Sequence, residues 1–170
     1  MKKFLACLPI LAGLILLPAV SHAKSGEPAK KAGKSANDFY RKLMKKQVAT
    51  NEDVIRAVAR FKGYHGGDNS GDEIKYLQTV GVRVDRNMPL HPRRPATKGA
   101  AANMFLNAMK SAADQRGLMG RIFTGSRRYA ARDGMAQKLI AGDSLYHEFM
   151  TGGELMGMLG RAVNQMGDKQ

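Results

Sequence analysis

The sequence holds one cysteine and little acid: 14 Asp and Glu stand against 28 Lys and Arg, a formal charge of +14 over 170 residues. The cysteine, Cys7, lies in an apolar N-terminal stretch. Residues 1–23 read as a secretory signal peptide, with Lys2 and Lys3 as the charged start, an apolar run over residues 4–20, and small Ser21 and Ala23 ahead of a cleavage point before Lys24. Pro9, Gly13 and Pro18 interrupt the run, so processing is expected rather than a retained transmembrane helix. Cys7 comes too early to be a lipidation site. The expected product has no thiol, which excludes disulfides, thiolate nucleophiles and cysteine-ligated metals. Its charge is +12 once Lys2 and Lys3 are gone. That excess predicts attraction to anionic envelope polymers or lipid headgroups, in the periplasm or at the cell surface, ahead of any specific nucleic acid.

Catalytic and metal-binding signatures are missing too. Once His22 leaves with the signal, His65, His91 and His147 remain, none spaced four residues from another, and neither HExxH nor G-x-S-x-G occurs. His147 and Glu148 could form an acid–base pair, the basis of a remote hydrolase alternative, but no nucleophile is marked beside them. Eleven methionines raise a copper reading, with Met156 and Met158 as the nearest pair. Met104, Met109, Met158 and Met166 instead occupy apolar helical faces, where methionine fills core gaps. The expectation is a non-enzymatic protein without metal or cofactor.

Strand-like alternation is confined to residues 80–84, and helical periodicity fills most of the rest. Residues 24–36 (KSGEPAKKAGKSA) contain no apolar side chain larger than Ala and read as a flexible basic linker. From Asn37 onward, apolar residues recur three and four apart. Phe39, Tyr40, Leu43, Met44 and Val48 form one stripe, and Val54, Ile55, Val58 and Phe61 the next. Ile74, Leu77 and Gly81 suggest a short third helix. Ala101, Met104, Phe105, Ala108, Met109 and Ala112 make a cleaner one, matched by Leu155, Met158, Leu159, Ala162, Val163 and Met166. A further helix is expected over residues 129–140. Glycines and prolines break the pattern at residues 63–68 and 88–95, while residues 117–126 (GLMGRIFTGS) read as a loop with a short apolar anchor. Residues 37–170 are thus expected to form a single all-α domain, a compact bundle of helix-loop-helix repeats.

Several helices open with one chemistry. Thr50 precedes Asp53 by three residues, Thr151 precedes Glu154, and Ser70 precedes Glu73, each a candidate capping box; Thr97 stands in the same place before its helix without the acid. The threonines are 47 and 54 residues apart, and aligning the last two superposes Met104 and Phe105 on Met158 and Leu159. A helix-loop-helix unit of about fifty residues, seen three times, organises the chain. This arrangement resembles the S-layer homology (SLH) module, which comes in threes. Residues 77–82 (LQTVGV) look like its helix-to-turn portion, and residues 97–101 and 151–155 sit where that family has Thr-Arg-Ala-Glu. The resemblance covers residues 37–166. It implies a helical pseudo-trimer binding acidic cell-wall polymers in grooves between repeats. At the family's glycan-contacting arginine this chain has Asn51, Lys98 and Gly152, so only Lys98 keeps a cation.

The arginines crowd into two segments. Arg83, Arg86, Arg93, Arg94 and Lys98 occupy one, and Arg121, Arg127, Arg128 and Arg132 the other. Guanidinium forks suit carboxylate and phosphate, and helix N-termini at Thr97 and Thr151 would add positive potential. The functional expectation is a non-catalytic cell-envelope module that holds an anionic polymer or lipid headgroup with these residues. The alternative is a protein–protein adaptor whose partner lies on residues 118–123.

Overall fold

Three threonine-led helices meet at the centre of the fold. The protein is seen in a computed structural model that describes residues 29–109, 118–123 and 125–167, with side chains from residue 37. Among these residues the helices are α1 (Ala29–Met44), α2 (Asn51–Phe61), α3 (Ser70–Thr79), α4 (Asn87–Leu90), α5 (Lys98–Ala108), α6 (Leu118–Ile122), α7 (Arg127–Ala136) and α8 (Gly152–Gly167). The fold is all-α, and among the described residues only isolated bridges, Thr50 with Pro95 and Thr97 with Phe149, take strand-like pairing. The alternation at residues 80–84 forms no sheet. Val82 turns into the core there and Val84 packs partly against it.

The units close on one another in a ring. Helices α2, α5 and α8 touch mutually, and each packs on the leading helix of the following unit: α2 on α3, α5 on α7, α8 on α1. At the centre, the residue before each threonine bonds to its counterparts. Ala49 N–H donates to the Met150 carbonyl (2.7 Å), Met150 N–H to Ala96 (2.9 Å), and Ala96 N–H to Ala49 (2.8 Å). All three side chains are buried. Three backbone donors and three acceptors are thereby satisfied inside the core, where leaving them unpaired would be costly.

The same cyclic order continues outward. Asn51 N–H donates to the Arg94 carbonyl (3.0 Å), Lys98 N–H to Glu148 (2.8 Å), and Gly152 N–H to Lys46 (3.0 Å). Glu52 and Gly99 N–H groups reach the Pro92 and Tyr146 carbonyls in the same way. The opening donors at Asn51, Glu52, Lys98, Gly99 and Gly152, which have no partner within their helices, are thus met by a loop of a neighbouring unit. Apolar faces from all three, including Ile55, Val58, Met104, Phe105, Leu155 and Met158, are fully buried in one cluster that runs from Phe39 to Ala162.

Local expectations fared unevenly. Thr50 and Asp53 form a complete capping box, Thr151 and Glu154 exchange the corresponding bonds, and Thr97 Oγ1 accepts from Ala100 N–H. Ser70 does not cap: Asn69 does, accepting from Gly71 N–H, and Ser70 is already helical. Glu73 is therefore not a cap partner. It lies on the inward face of α3 with Leu77, fully buried, and takes a 2.8 Å bond from Arg56 Nε. The expected tether at residues 24–36 is helical from Ala29, because a helix nucleated by the packed Phe39 and Leu43 turns extends cheaply through Ala and Lys. Residues 129–140 give a helix shifted earlier, Arg127–Ala136, which Lys138 ends in a left-handed conformation. The expected signal segment, Cys7 and residues 24–28 lie outside the described residues, as do residues 110–117. No helix among the described residues is long and apolar enough to cross a membrane.

Candidate anion-binding groove

The arginines singled out in the sequence divide into distinct environments. Four of them, Arg83 and Arg86 from the loop after α3 and Arg127 and Arg128 from the start of α7, line one groove of about 1130 Å³. Its walls belong to the second and third repeat units, and Gln78, Asn87, Asn103, Ser126 and Tyr146 add uncharged polar groups to the lining. Asp85 supplies the only carboxylate of that lining, and it pairs with Arg127 at 3.1 Å. Positive charge at the groove therefore outweighs negative by three.

A helix end adds to this field. Helix α7 starts in the groove at Ser126, which makes no side-chain cap bond. Ser126, Arg127 and Arg128 all line the groove, so the positive end of the helix macrodipole lies at its wall. The helix ends at Thr97 and Thr151 behave differently from expectation. Their threonines cap them, and the Glu148, Tyr146 and Lys46 carbonyls accept from the Lys98, Gly99 and Gly152 N–H groups, so protein atoms already occupy these helix ends.

Lys98, the one cation among Asn51, Lys98 and Gly152, is also spent internally. Its ammonium lies 2.8 Å from Glu148 and 3.0 Å from Glu154, with the side chain only 14% exposed. The Glu148 bond, followed by Glu154, raises the Lys98 pKa against the effect of burial. The same bond holds Glu148 below the usual carboxylate range. Burial pushes Glu154 upward, but the Thr151 N–H and Lys98 outweigh it and the net direction is down. The 450 Å³ cavity beside Lys98, with Arg161, Lys138 and Ser144 in its wall, thus contains a neutralised cation. At the third equivalent position a side chain has no room: a Cβ on Gly152 would collide with the Leu43 carbonyl. Asn51 spends its amide on the His91 carbonyl.

The remaining predicted cations are scattered. Arg93 and Arg132 are exposed outside the groove, and Arg94 lines a small crevice with Asn51, Thr97, Arg127 and Phe149. Arg121 is exposed on α6. Tyr146 was missed by sequence reasoning, although a tyrosine beside His147 and Glu148 in the loop five residues before Thr151 was a usable signal. Of the catalytic pair, Glu148 is committed to Lys98 and His147 meets the Tyr146 ring edge-on at 5.1 Å. Met156 and Met158, two apart on α8, cannot face a common ligand, and Met104, Met109 and Met158 are buried in the core. Among the described residues no group of His, Cys, Asp or Glu is placed to hold a metal.

Comparison of the chain with protein-family models, with curated proteins and with solved structures returns no match.

Proposed function

We propose that this chain is an exported, non-catalytic module of the cell envelope that grips phosphate or carboxylate groups in the groove of Arg83, Arg86, Arg127 and Arg128, on an SLH-like frame. One observation carries the reading: two arginine pairs more than forty residues apart in sequence converge on a single groove with one opposing carboxylate. The cyclic closure of three helix-loop-helix units supports the SLH-like frame, and the groove lies between units, where such a frame offers its ligand sites. Its chemistry has moved, however. The motif position is blocked at Gly152, neutralised at Lys98 and uncharged at Asn51, and cationic character sits instead on the loop after α3 and the head of α7.

Pull-down on purified envelope fractions with a salt titration tests this. Wild-type protein should be retained, and released as salt screens the contacts. The double variant Arg83→Gln/Arg86→Gln should elute at markedly lower salt, while Arg93→Gln/Arg132→Gln should elute close to wild type. Retention no better than that of a scrambled-charge control sinks the reading.

A further inference from the structure

Helix α6 carries an apolar surface that a soluble anionic polymer does not explain. Within six residues, Leu118 is 72% exposed, Met119 49%, Ile122 61% and Phe123 50%. The sequence pattern suggested a loop with a short apolar anchor, but residues 118–122 are helical and these side chains face solvent. Contiguous apolar exposure of this kind marks an interaction site more often than a scattered single residue does.

The patch is fastened to the arginine groove. Ser126 N–H donates to the Phe123 carbonyl at 2.9 Å, and the Phe123 ring stacks on Tyr129 at 5.5 Å and 18°. Tyr129 directly follows Arg128, a groove residue. Across the groove, Tyr146 lines the wall and is 42% exposed, an amphipathic ring of the sort that settles at headgroup level. Arg127 and Arg128 of the cleft share the first turn of α7 with Tyr129, the stacking partner of Phe123, so the apolar knob stands beside the α7 wall of the cationic cleft.

Resting on the anion-binding reading above, we infer that this surface docks on a bilayer of anionic phospholipid, with the groove arginines on headgroup phosphates and Leu118, Ile122 and Phe123 entering the acyl boundary. A bilayer presents phosphate and hydrocarbon within a few ångströms of each other, which matches this juxtaposition. A protein partner for α6 alone would leave the adjoining charge unused. A polymer would leave the apolar side chains in water. With five residues, α6 can lie only at the interface.

The sequence contains no tryptophan, so Phe123→Trp introduces a single local reporter. The experiment uses the chain from Lys24, which includes every described helix and the whole buried cluster. Phosphatidylglycerol-containing vesicles should shift the emission of the introduced indole to the blue, whereas pure phosphatidylcholine vesicles and polyphosphate should not. Ile122→Ser should weaken vesicle binding about tenfold, roughly the contribution of one large buried apolar side chain, while polyphosphate retention stays unchanged. Arg83→Gln/Arg86→Gln should weaken both. If the protein binds vesicles or polyphosphate with the indole still in water, membrane docking is overturned while the groove reading stands, with a polymer as its ligand. If binding to both is absent, both readings fall. An equal shift on neutral vesicles overturns the role of the groove in docking. Circular dichroism of each variant confirms that losses do not reflect unfolding.

Discussion

Arg127 Nη2 lies 3.1 Å from Asp85 Oδ2, joining the head of α7 to the loop that precedes α4 across the floor of the groove. Asp85 also accepts from Asn87 N–H at 3.0 Å, so it both orders the loop and removes one positive charge from the site. Asp85→Asn keeps an acceptor for Asn87 and releases Arg127. Because the pair is partly solvated, the stability change should stay within about 1 kcal/mol. Anion retention should rise, read as elution from an envelope or polyphosphate matrix at higher salt. Unchanged elution would show that Arg127 does not contact the bound anion.

The Lys98 cluster predicts a pH signature. The Glu148 and Glu154 pKa values are lowered in the fold, so their contribution is present above the ordinary carboxylate value and is lost as pH falls through the lower, folded value. The raised Lys98 pKa works in the opposite sense, its contribution being present below the ordinary lysine value and lost as pH rises through the folded one. Lys98→Met should therefore lower Tm at neutral pH, and the difference from wild type should shrink toward both acidic and strongly alkaline pH. A gap independent of pH would assign the loss to packing alone.

Arg56 and Glu73 are not equivalent partners. Glu73 is fully buried, its second oxygen has no partner, and burial pushes its pKa up against the pull of Arg56. Arg56 has further anions in Glu52 at 2.9 Å and Asp68 at 3.9 Å, and its guanidinium lies over the Phe39 ring. Glu73→Gln keeps an acceptor for Arg56 Nε and removes a costly buried charge, so chemical denaturation at pH 7 should show a change of no more than about 1 kcal/mol, of either sign. Arg56→Ala strands the carboxylate and should cost about 3–5 kcal/mol. Equal losses would contradict this asymmetry.

The features that sequence reading reached are the ones governed by local chemistry. Thr50, Thr97 and Thr151 announce helices because a side-chain oxygen three residues from a free N–H needs no distant partner, and apolar periodicity then gives the buried face. Ser70 misled because Asn69, one residue earlier, competes for the same donors, and because Glu73 shares the inward face of α3 with Leu77. Lys98 looked available because the carboxylates that neutralise it are 50 and 56 positions away in sequence. Arg83, Arg86, Arg127 and Arg128 were legible as two clusters. That they meet, and that Arg93 and Arg132 stay apart from them, depends on how the three units close.

That closure can be tested at adjacent glycines. Gly152 opens α8, donates to the Lys46 carbonyl and sits against the Leu43 carbonyl, so α1 and α8 touch backbone to backbone. A methyl group at Gly152 cannot be accommodated by a side-chain rotation, because the obstructing atom belongs to the α1 main chain. To admit it, α1 must move from α8, straining the Gly152–Lys46 and Ala49–Met150 bonds and the burial of Leu43. Gly152→Ala should therefore cost at least about 3 kcal/mol, beyond ordinary overpacking. Gly153 is exposed and helical, and nothing lies within 4 Å of the point where its methyl group would stand. Gly153→Ala should stabilise by about 0.5–1 kcal/mol through helix propensity and a less mobile unfolded chain. Urea unfolding of the two variants side by side decides the matter. If both stabilise, the α1–α8 contact is looser than the structure has it, and the ring at Ala49, Ala96 and Met150 is not what holds the third unit to the first.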